Sequence, residues 1–365
     1  MSECNIYISY ANLVSVTVIC ESENEREKLK RILEQNSFTF DKKKMEYKYN
    51  YFIRFEDMKE IHIEKSFKNI KIHAYDNLRE SGEEIYGKMK NDTHIFSLWD
   101  PRYPAYIEYD IKEKQIVVYS KKQNRGQVVL DLLREQFVQK NLENNQFYFL
   151  KGAAFIYHGN DVCVLVGKHG VGKTTLLLEL LLRNKNFFFL TNSASYIHCN
   201  TLDIDIYSWR PHMRIRYGTT KIQKVERKIQ KRFALRDKEY KDEEDFLKLK
   251  TYHEIEELFD ITSRKKGKLK KIIFLEQNQN NESPVGLNRV TKDNLGLALK
   301  LFEKNVLVNG DLTHPDIWQL LSGVKEKENY LKKIIKDCEV YQLRINRDAM
   351  ENCVHELEKI FTTAF

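Results

Sequence analysis

Apolar and polar residues alternate with a period of two over much of the first third of the chain. This alternation predicts strands with one buried face at residues 5–20, 45–55, 70–75, 94–99 and 106–119. The last of these segments turns at residues 112–114 and is typical of a hairpin. Between the first two, residues 23–35 carry Leu29, Ile32 and Leu33 on one side, which predicts a charged helix. We expect a β-rich α+β domain over residues 1–122, with a possible role in acceptor recognition or assembly.

Beyond residue 122 the pattern predicts strands and helices in alternation. Helical spacing covers residues 127–141 and 173–183, and apolar strands are expected at residues 147–149, 153–157, 162–166, 187–190, 195–198, 204–209, 271–276 and 340–345. The most charged stretch, residues 221–270, is interpreted as a helical insertion. We therefore expect an α/β domain over residues 123–365.

Composition adds that the chain folds and carries a moderate positive charge. Of its 365 residues 42% are hydrophobic and 31% charged, which excludes a disordered chain, and 14 Gly with 5 Pro exclude a collagen-like one. The net charge of +8 is far from that of a protein that wraps nucleic acid. The Lys-rich runs near residues 221–236 and 264–271 alternate with acidic runs, which favours a solvated insertion over a nucleic-acid surface.

Two further sequence patterns bear on where in the cell the protein is located. No apolar run approaches the roughly 18 residues of a membrane helix, and the first residues lack the basic start and apolar run of a secretory signal. The six cysteines stand apart without a C-x-x-C pair, so we interpret them as buried or idle thiols rather than metal ligands or disulfides. A cytoplasmic protein with no membrane partner is expected.

One segment carries recognisable chemistry. An unbroken apolar strand, Val162–Val166, runs into the pattern G-x-x-x-x-G-K-T, and a leucine-rich helix follows. Glycines in such a loop let main-chain amides turn towards phosphate oxygens, while the helix N-terminus adds a partial positive charge. The sequence predicts a nucleotide-phosphate site, a P-loop, formed by Gly167, Lys168, His169, Gly170, Val171, Gly172, Lys173, Thr174 and Thr175. Lys173 can reach the β- and γ-phosphates, and Thr174 can offer its hydroxyl to Mg²⁺.

Phosphoryl transfer also needs a carboxylate for Mg²⁺ and a group that orients or deprotonates the acceptor. Glu276 ends the apolar strand 271–275 and is the leading candidate for the metal and catalytic roles. Asp205 and Asp203 are alternatives, although their alternate spacing also fits the solvent-exposed face of a strand. Asp311, in a predicted loop, is a third.

Arginines are candidate phosphate contacts because their planar fork suits bidentate recognition. Arg210 precedes Pro211 and is the best placed of them. Arg214 and Arg216 are two residues apart, a spacing that fits the solvent-exposed face of one strand equally well.

Residues 152–216 resemble the HPr kinase/phosphorylase-like branch of P-loop proteins, with its PEP-carboxykinase-type nucleotide fold. The resemblance is carried by Lys151-Gly152-Ala153-Ala154, the P-loop with its leucine-rich helix, residues 188–193, the Trp209-Arg210-Pro211 corner and the C-terminal strand with its helix. It implies ATP- and Mg²⁺-dependent phosphorylation of a hydroxyl on a peptide, carrier protein or small molecule, in some relatives within a biosynthetic pathway. It covers about half of the chain in pieces, and residues 1–120 match nothing in it.

The chain departs from that family at two places. Where such kinases carry an Asp-Asp pair, this chain has Asn192-Ser193, and Lys151 stands in place of the usual His. A lost general base costs on the order of 10²–10⁴ in rate. Either another acid has taken over, or the site binds nucleotide without fast chemistry.

Three functions remain open at this stage. The first is a kinase that uses Lys173, Glu276, Arg210 and Asp205, and the second is a nucleotide-binding regulatory or scaffold protein. The third, a nucleic-acid-linked NTPase, is the least supported. The sequence does not decide whether the chain forms a homo-oligomer, or whether the nucleotide is ATP or GTP.

Overall fold

The computed structural model describes residues 4–11, 13–34, 38–43, 46–47, 49–57, 70–74, 83–90, 93–98, 105–110, 112–131, 133, 145, 147–168, 170–200, 203–210, 212–216, 219, 246–249, 251–277, 285–291, 296, 333–346 and 349–362. These residues belong to two compact units. The described residues up to 145 form the first, and those from 147 onwards form the second.

The first unit is built on a nine-stranded mixed sheet. In chain order its strands are β1 (Cys4–Tyr10), β2 (Val14–Cys20), β3 (Thr39–Asp41), β4 (Tyr49–Glu56), β5 (Ile70–Ala74), β6 (Glu83–Lys90), β7 (Thr93–Leu98), β8 (Ala105–Asp110) and β9 (Gln115–Ser120). They are arranged as β3-β1-β2-β4-β9-β8-β7-β6-β5. The β2–β4 and β4–β9 pairs are parallel, and the other pairs are antiparallel.

Two helices, α1 (Glu23–Glu34) and α2 (Arg125–Asp131), belong to this unit and pack against each other. Gly126 lies so close to α1 that an added Cβ would clash with Ile32 Cδ1. The sequence analysis placed the domain boundary at residue 122 and so assigned all of this helix to the second domain. The structure divides the units after residue 146 instead, because α2 is held by contacts with α1.

The second unit is built on a larger mixed sheet, arranged as β10-β14-β15-β18-β12-β11-β13, with β20 beside β18 and β19 beside β20. Its strands are β10 (Phe147–Leu150), β11 (Ala153–His158), β12 (Asp161–Val166), β13 (Phe188–Thr191), β14 (Ala194–Cys199), β15 (Ile204–Arg210), β18 (Lys266–Gln277), β19 (Gly286–Arg289) and β20 (Glu339–Ile345). A separate two-stranded sheet pairs β16 (Met213–Arg216) with β17 (Phe246–Leu249). Strands β12, β18 and β20 run parallel to one another.

The helices of the second unit are α3 (Lys173–Arg183), α4 (Tyr252–Phe259) and α5 (Met350–Thr362). Leucines of α3 and apolar residues of α5 join one buried cluster on the sheet, while Val162, Ile197 and Phe274 belong to another. Because side chains alternate along β18, Ile273 and Leu275 fall in the first cluster and Phe274 in the second. The α/β class expected from the sequence is confirmed.

The expected helical insertion at 221–270 is wrong where the structure describes it. Residues 246–249 form β17, only 252–259 form a helix, and β18 already begins at Lys266. Two lysines of β18, Lys268 and Lys270, contact Asp203, which directly precedes the neighbouring strand β15. These two lysines therefore belong to the solvent-exposed face of a strand. Residues 220–245 lie outside the described part of the chain.

Within the helices that the structure describes, none is both long and apolar enough to cross a bilayer.

Candidate functional site

The predicted P-loop, residues 167–175, starts at the end of the buried strand β12 and runs into the first turn of helix α3. Gly167 follows Val166 directly and approaches the neighbouring strand β18 so closely that an added Cβ would sit 2.8 Å from Leu275 O. Gly170 and Gly172 have φ of 79° and 102°, a region that favours glycine. The turn is closed by Val171 N donating to Lys168 O at 3.3 Å, and the first helical bond joins Leu176 N to Gly172 O at 2.9 Å. The glycines therefore occur where the backbone requires them.

The ammonium group of Lys173 lies inside this turn. Its Nζ donates to Gly167 O at 2.6 Å and to Lys168 O at 2.7 Å. Burial, together with the neighbouring cation of Lys151, lowers the pKa of Lys173 to about 8. A partly desolvated ammonium beside a second cation favours an anion.

Lys151 lies at a bend in the main chain. Residues 151–152 connect strand β10 to β11, and residues 192–193 form a second bend that connects β13 to β14. The bends face each other, because Gly152 N donates to Ser193 O at 3.1 Å. Gly152 also packs against the P-loop strand, where an added Cβ would meet Leu165 O at 2.8 Å. The bends therefore lie beside the end of β12 that leads into the P-loop.

The side chains at the second bend are buried and uncharged. Asn192 is 8% exposed, and neither its Oδ1 nor Ser193 Oγ has a hydrogen-bond partner within the described residues. Thr191 stabilises the bend by donating its hydroxyl to Ala194 O at 2.9 Å. Buried oxygen atoms without partners are uncommon and are often completed by a ligand, a water or an ion.

The other predicted loop residues divide into exposed and partly buried positions. Lys168 is exposed, and His169 lies outside the described residues. Thr174 is partly buried at the start of α3. The Thr175 hydroxyl lies 3.0 Å from the hydroxyl of Thr219, a buried residue that the sequence analysis did not single out. No spacing rule would have found Thr219, because the contact spans 44 residues.

Met350, at the start of α5, is a second neighbour that sequence patterns missed. Its Cε would lie 3.3 Å from a Cβ added at Gly172. The beginning of the last helix therefore packs against the P-loop.

Glu276 lies at the carboxyl end of β18, the strand beside the P-loop strand. Its carboxylate accepts a hydrogen bond from Gln342 Nε2 at 2.7 Å. By alternation it shares the sheet face of Phe274, opposite the face that packs against α3. The structure thus brings Glu276 to the expected edge of the sheet but engages it with β20.

Asp205 is not brought to the P-loop. It pairs with Lys268 across β15 and β18, with a contact of 2.6 Å, and Lys268 in turn lies opposite Asp161 at the beginning of β12. The P-loop follows the other end of β12, about 20 Å away at roughly 3.3 Å per residue. We therefore correct the catalytic assignment of Asp205, because its carboxylate is engaged in an ion pair at the far end of the sheet.

The arginine cluster is only partly described. Arg210 ends β15 opposite Ala194, next to the bend at residues 192–193, but its side chain lies outside the described part of the structure. Arg214 and Arg216 lie on β16, where Arg216 is exposed. Asp311 lies outside the described residues.

The residues at this end of the sheet fit Mg²⁺ that arrives with a polyphosphate. Among the described residues, no three His, Cys, Asp or Glu side chains gather as a metal cage. Mg²⁺ bound with a nucleotide keeps several waters and takes its other ligands from phosphate oxygens and one or two protein groups. The Thr174 hydroxyl and the unpartnered Asn192 Oδ1 are oxygen atoms of the required kind.

A large cavity of about 1580 Å³ lies elsewhere in the second unit. Asp161, Arg183, Lys271 and Glu339 are among its lining residues, so it borders the beginning of β12 and the end of α3. Lys271 is 6% exposed and donates to Glu339 at 2.8 Å. This cavity is therefore at the opposite end of β12 from the P-loop.

Comparison with known proteins gives little additional information. No protein-family model matches the chain, and no curated protein matches it. Among solved structures, the Hpr(Ser) kinase/phosphatase from Coxiella burnetii is similar over 59% of this chain and 92% of that chain, at 9% identity and a TM-score of 0.29. That likeness is weak, so a function for this chain has to follow from its own residues.

Proposed function

We propose that the second unit binds a nucleoside triphosphate at the P-loop and transfers its terminal phosphoryl group to a hydroxyl of a peptide, protein or small molecule. The observation that carries this proposal is the P-loop itself, with strand β12 before it, helix α3 after it and the Lys173 ammonium inside the turn. ATP is the nucleotide we propose. The proposal agrees with the family resemblance of residues 152–216.

In this proposal the protein positions the phosphates and neutralises their charge. Main-chain amides of the loop and the N-terminus of α3 donate to phosphate oxygens. Lys173 exchanges its two carbonyl acceptors for phosphate oxygens, and Lys151 adds a second positive charge beside them. Such preorganised donors are a main source of rate enhancement in phosphoryl transfer.

Thr174 and Asn192 would hold Mg²⁺ together with the phosphates. When bound, this ion neutralises charge on the terminal phosphate. Glu276 is the candidate acid at the same edge, and Arg210 is the candidate acceptor contact. For Glu276 to act as a base it would have to leave Gln342, its partner at 2.7 Å.

The first test is the loss of ATP binding in Lys173→Met. Because charge-assisted hydrogen bonds contribute about 1.5–3 kcal/mol each, we expect the Kd measured by calorimetry to rise about 10–100-fold. Lys185→Met, which removes an exposed lysine just beyond α3, is the matched control and should leave the Kd unchanged. Equal affinity in the wild type and Lys173→Met would overturn the proposal.

A second function is favoured by a specific observation, namely the uncharged pair Asn192-Ser193 at the bend. A protein with this pair can bind ATP and serve as a regulatory or scaffold component without transferring phosphate. Labelled ATP offered with candidate peptides and small hydroxyl compounds separates the two functions. Phosphate transfer that disappears in Lys173→Met supports the kinase. ATP binding without any Lys173-dependent transfer supports the regulatory or scaffold function.

A further inference from the structure

Two cysteines face each other in the first unit. Strands β1 and β2 form an antiparallel hairpin, and its register pairs Cys4 directly with Cys20. Neither cysteine is in a disulfide in the structure. Directly opposite residues carry their side chains on the same face of the sheet, so the two thiols project side by side.

The strand geometry meets the distance requirement of a disulfide. Directly opposite residues in an antiparallel pair have Cα atoms about 4.5 or 5.5 Å apart, depending on the hydrogen-bonding position. Disulfides span Cα separations of about 4.4–6.8 Å, so either kind of position allows the bond without moving the strands apart. The bond would join the open end of the hairpin, at the strand ends farthest from its turn.

We propose that Cys4 and Cys20 are a redox modification site and form an intramolecular disulfide when a low-molecular-weight disulfide such as oxidised glutathione is present. The Cys4 thiolate attacks one sulfur of the oxidant, forms a mixed disulfide and releases one glutathione thiolate. The Cys20 thiolate then attacks Cys4 Sγ and releases the second glutathione. The protein gives up two electrons and two protons, and the oxidant is reduced to two thiols.

The environment sets the order of these steps. Cys4 is partly exposed and can meet an oxidant from solution, whereas Cys20 is 4% exposed and is reached only through Cys4. Burial raises the pKa of Cys4, and a hydrogen bond with Glu23 raises it further. Burial and the nearby Glu25 raise the pKa of Cys20 to about 12. Since the thiolate is the nucleophile, oxidation is slow at neutral pH and accelerates as the pH rises.

The pair stands apart from the other thiols of the chain. Cys163, Cys338 and Cys353 are buried in the second unit, and Cys199 is partly buried there. None of these four is paired with another cysteine in the strand register. The sequence alone had favoured idle thiols for all six, because Cys4 and Cys20 are too far apart for a recognisable motif.

The test oxidises the folded full-length protein with oxidised glutathione at pH 8.5 and maps disulfide-linked peptides by mass spectrometry. We expect a linked Cys4–Cys20 species, 2 Da lighter than the dithiol, that is reversed by dithiothreitol. The crosslink closes a loop of about 15 residues, so the melting temperature of the first unit should rise by roughly 5–10 °C. Cys4→Ser and Cys20→Ser should lose both effects, and Cys199→Ser should keep them.

Two results would overturn the proposal. One is a glutathione adduct that stays on Cys4 of the folded protein without progressing to the crosslink. The other is a Cys4–Cys20 bond that forms only after urea has unfolded the chain, because the register of the folded hairpin would then have no part in it.

Discussion

Lys173 illustrates how a single residue can be prepared for an anion. Its ammonium group donates to two carbonyl oxygens of its own loop, and the cation of Lys151 acts on it electrostatically. Neutral carbonyls satisfy the hydrogen bonds but do not balance the charge. A polyphosphate that reaches the loop can replace them and supply the missing negative charge.

This arrangement predicts that ATP affinity depends on pH. The pKa of Lys173 is about 8 because burial and Lys151 disfavour its charged form. A bound polyphosphate favours that charged form, so binding takes up a proton once Lys173 begins to lose it. We expect the Kd, measured by calorimetry between pH 6.5 and 9.5, to rise above pH 8, approaching about tenfold per pH unit.

Lys151→Met provides the control for this pH dependence. Removing the neighbouring cation lets the pKa of Lys173 return towards its ordinary value, so the rise in Kd should move to higher pH. Lys185→Met should leave the pH of the rise unchanged. A profile that is the same in wild type and Lys151→Met would contradict the assignment of Lys151 as the cation beside Lys173.

At the scale of elements, the candidate site depends on close main-chain contacts at strand ends. Gly152 packs its Cα against the carbonyl of Leu165, and Gly167 packs against the carbonyl of Leu275. A side chain at either position would push two neighbouring strands apart. The register of β11, β12 and β18 therefore determines where the P-loop begins.

Gly152→Ala is expected to weaken the second unit and its ATP binding together. The new Cβ would lie 2.8 Å from both Leu165 O and Val164 Cγ1, and a backbone oxygen cannot turn aside. We expect a loss of about 1–3 kcal/mol in the free energy of unfolding, measured by denaturant titration. Gly286→Ala is the matched control, since nothing lies within 4 Å of its added Cβ, and it should change stability by less than about 0.5 kcal/mol.

The sequence predicted those elements whose signal is local. The bounds of α1, β12 and α3 agree with the expected periodicity, because each buries one face or a continuous apolar run. Asp205 and the charged insertion were misjudged because both depend on non-local pairing. Asp205 could be separated from the P-loop only by knowing that it lies opposite Lys268, 63 residues later in the chain. Local periodicity carries no information about such a partner.

At the scale of the whole molecule, each unit has its own way of holding its elements together. The second unit relies on two apolar clusters on the faces of its sheet. The first adds a buried cation, Arg125, which is 1% exposed and contacts Glu21 at 2.8 Å, Glu25 at 2.7 Å and Asp57 at 3.3 Å. Its guanidinium also lies 4.9 Å from the ring of Phe55. Arg125 thereby joins α2 to α1 and to the end of β4.

Arg125→Met should destabilise the first unit by about 2–4 kcal/mol, because it leaves a cluster of carboxylates without their cation. Arg54→Met, which removes an exposed arginine 3.6 Å from Glu56, is the control and should cost less than about 1 kcal/mol. Both are measured by thermal or denaturant unfolding. Equal effects of the two substitutions would contradict a structural role for the buried cation.

Acid should act on the same cluster. Hydrogen bonds from Lys122 and Arg125 lower the pKa of Glu21 below its usual 4.5. Its contribution to stability is therefore present above pH 4.5 and is lost as the pH falls through the lowered value. The wild-type first unit should lose stability in this range, and the loss should be smaller in Arg125→Met.

The facing bends at residues 151–152 and 192–193 have a consequence for how the activity of such a chain could change. Main-chain pairing shapes these bends through Gly152 N and Ser193 O, whatever side chains residues 192 and 193 carry. Side chains at residues 192 and 193 can therefore change the chemistry of this bend without altering the main-chain hydrogen bond that shapes it.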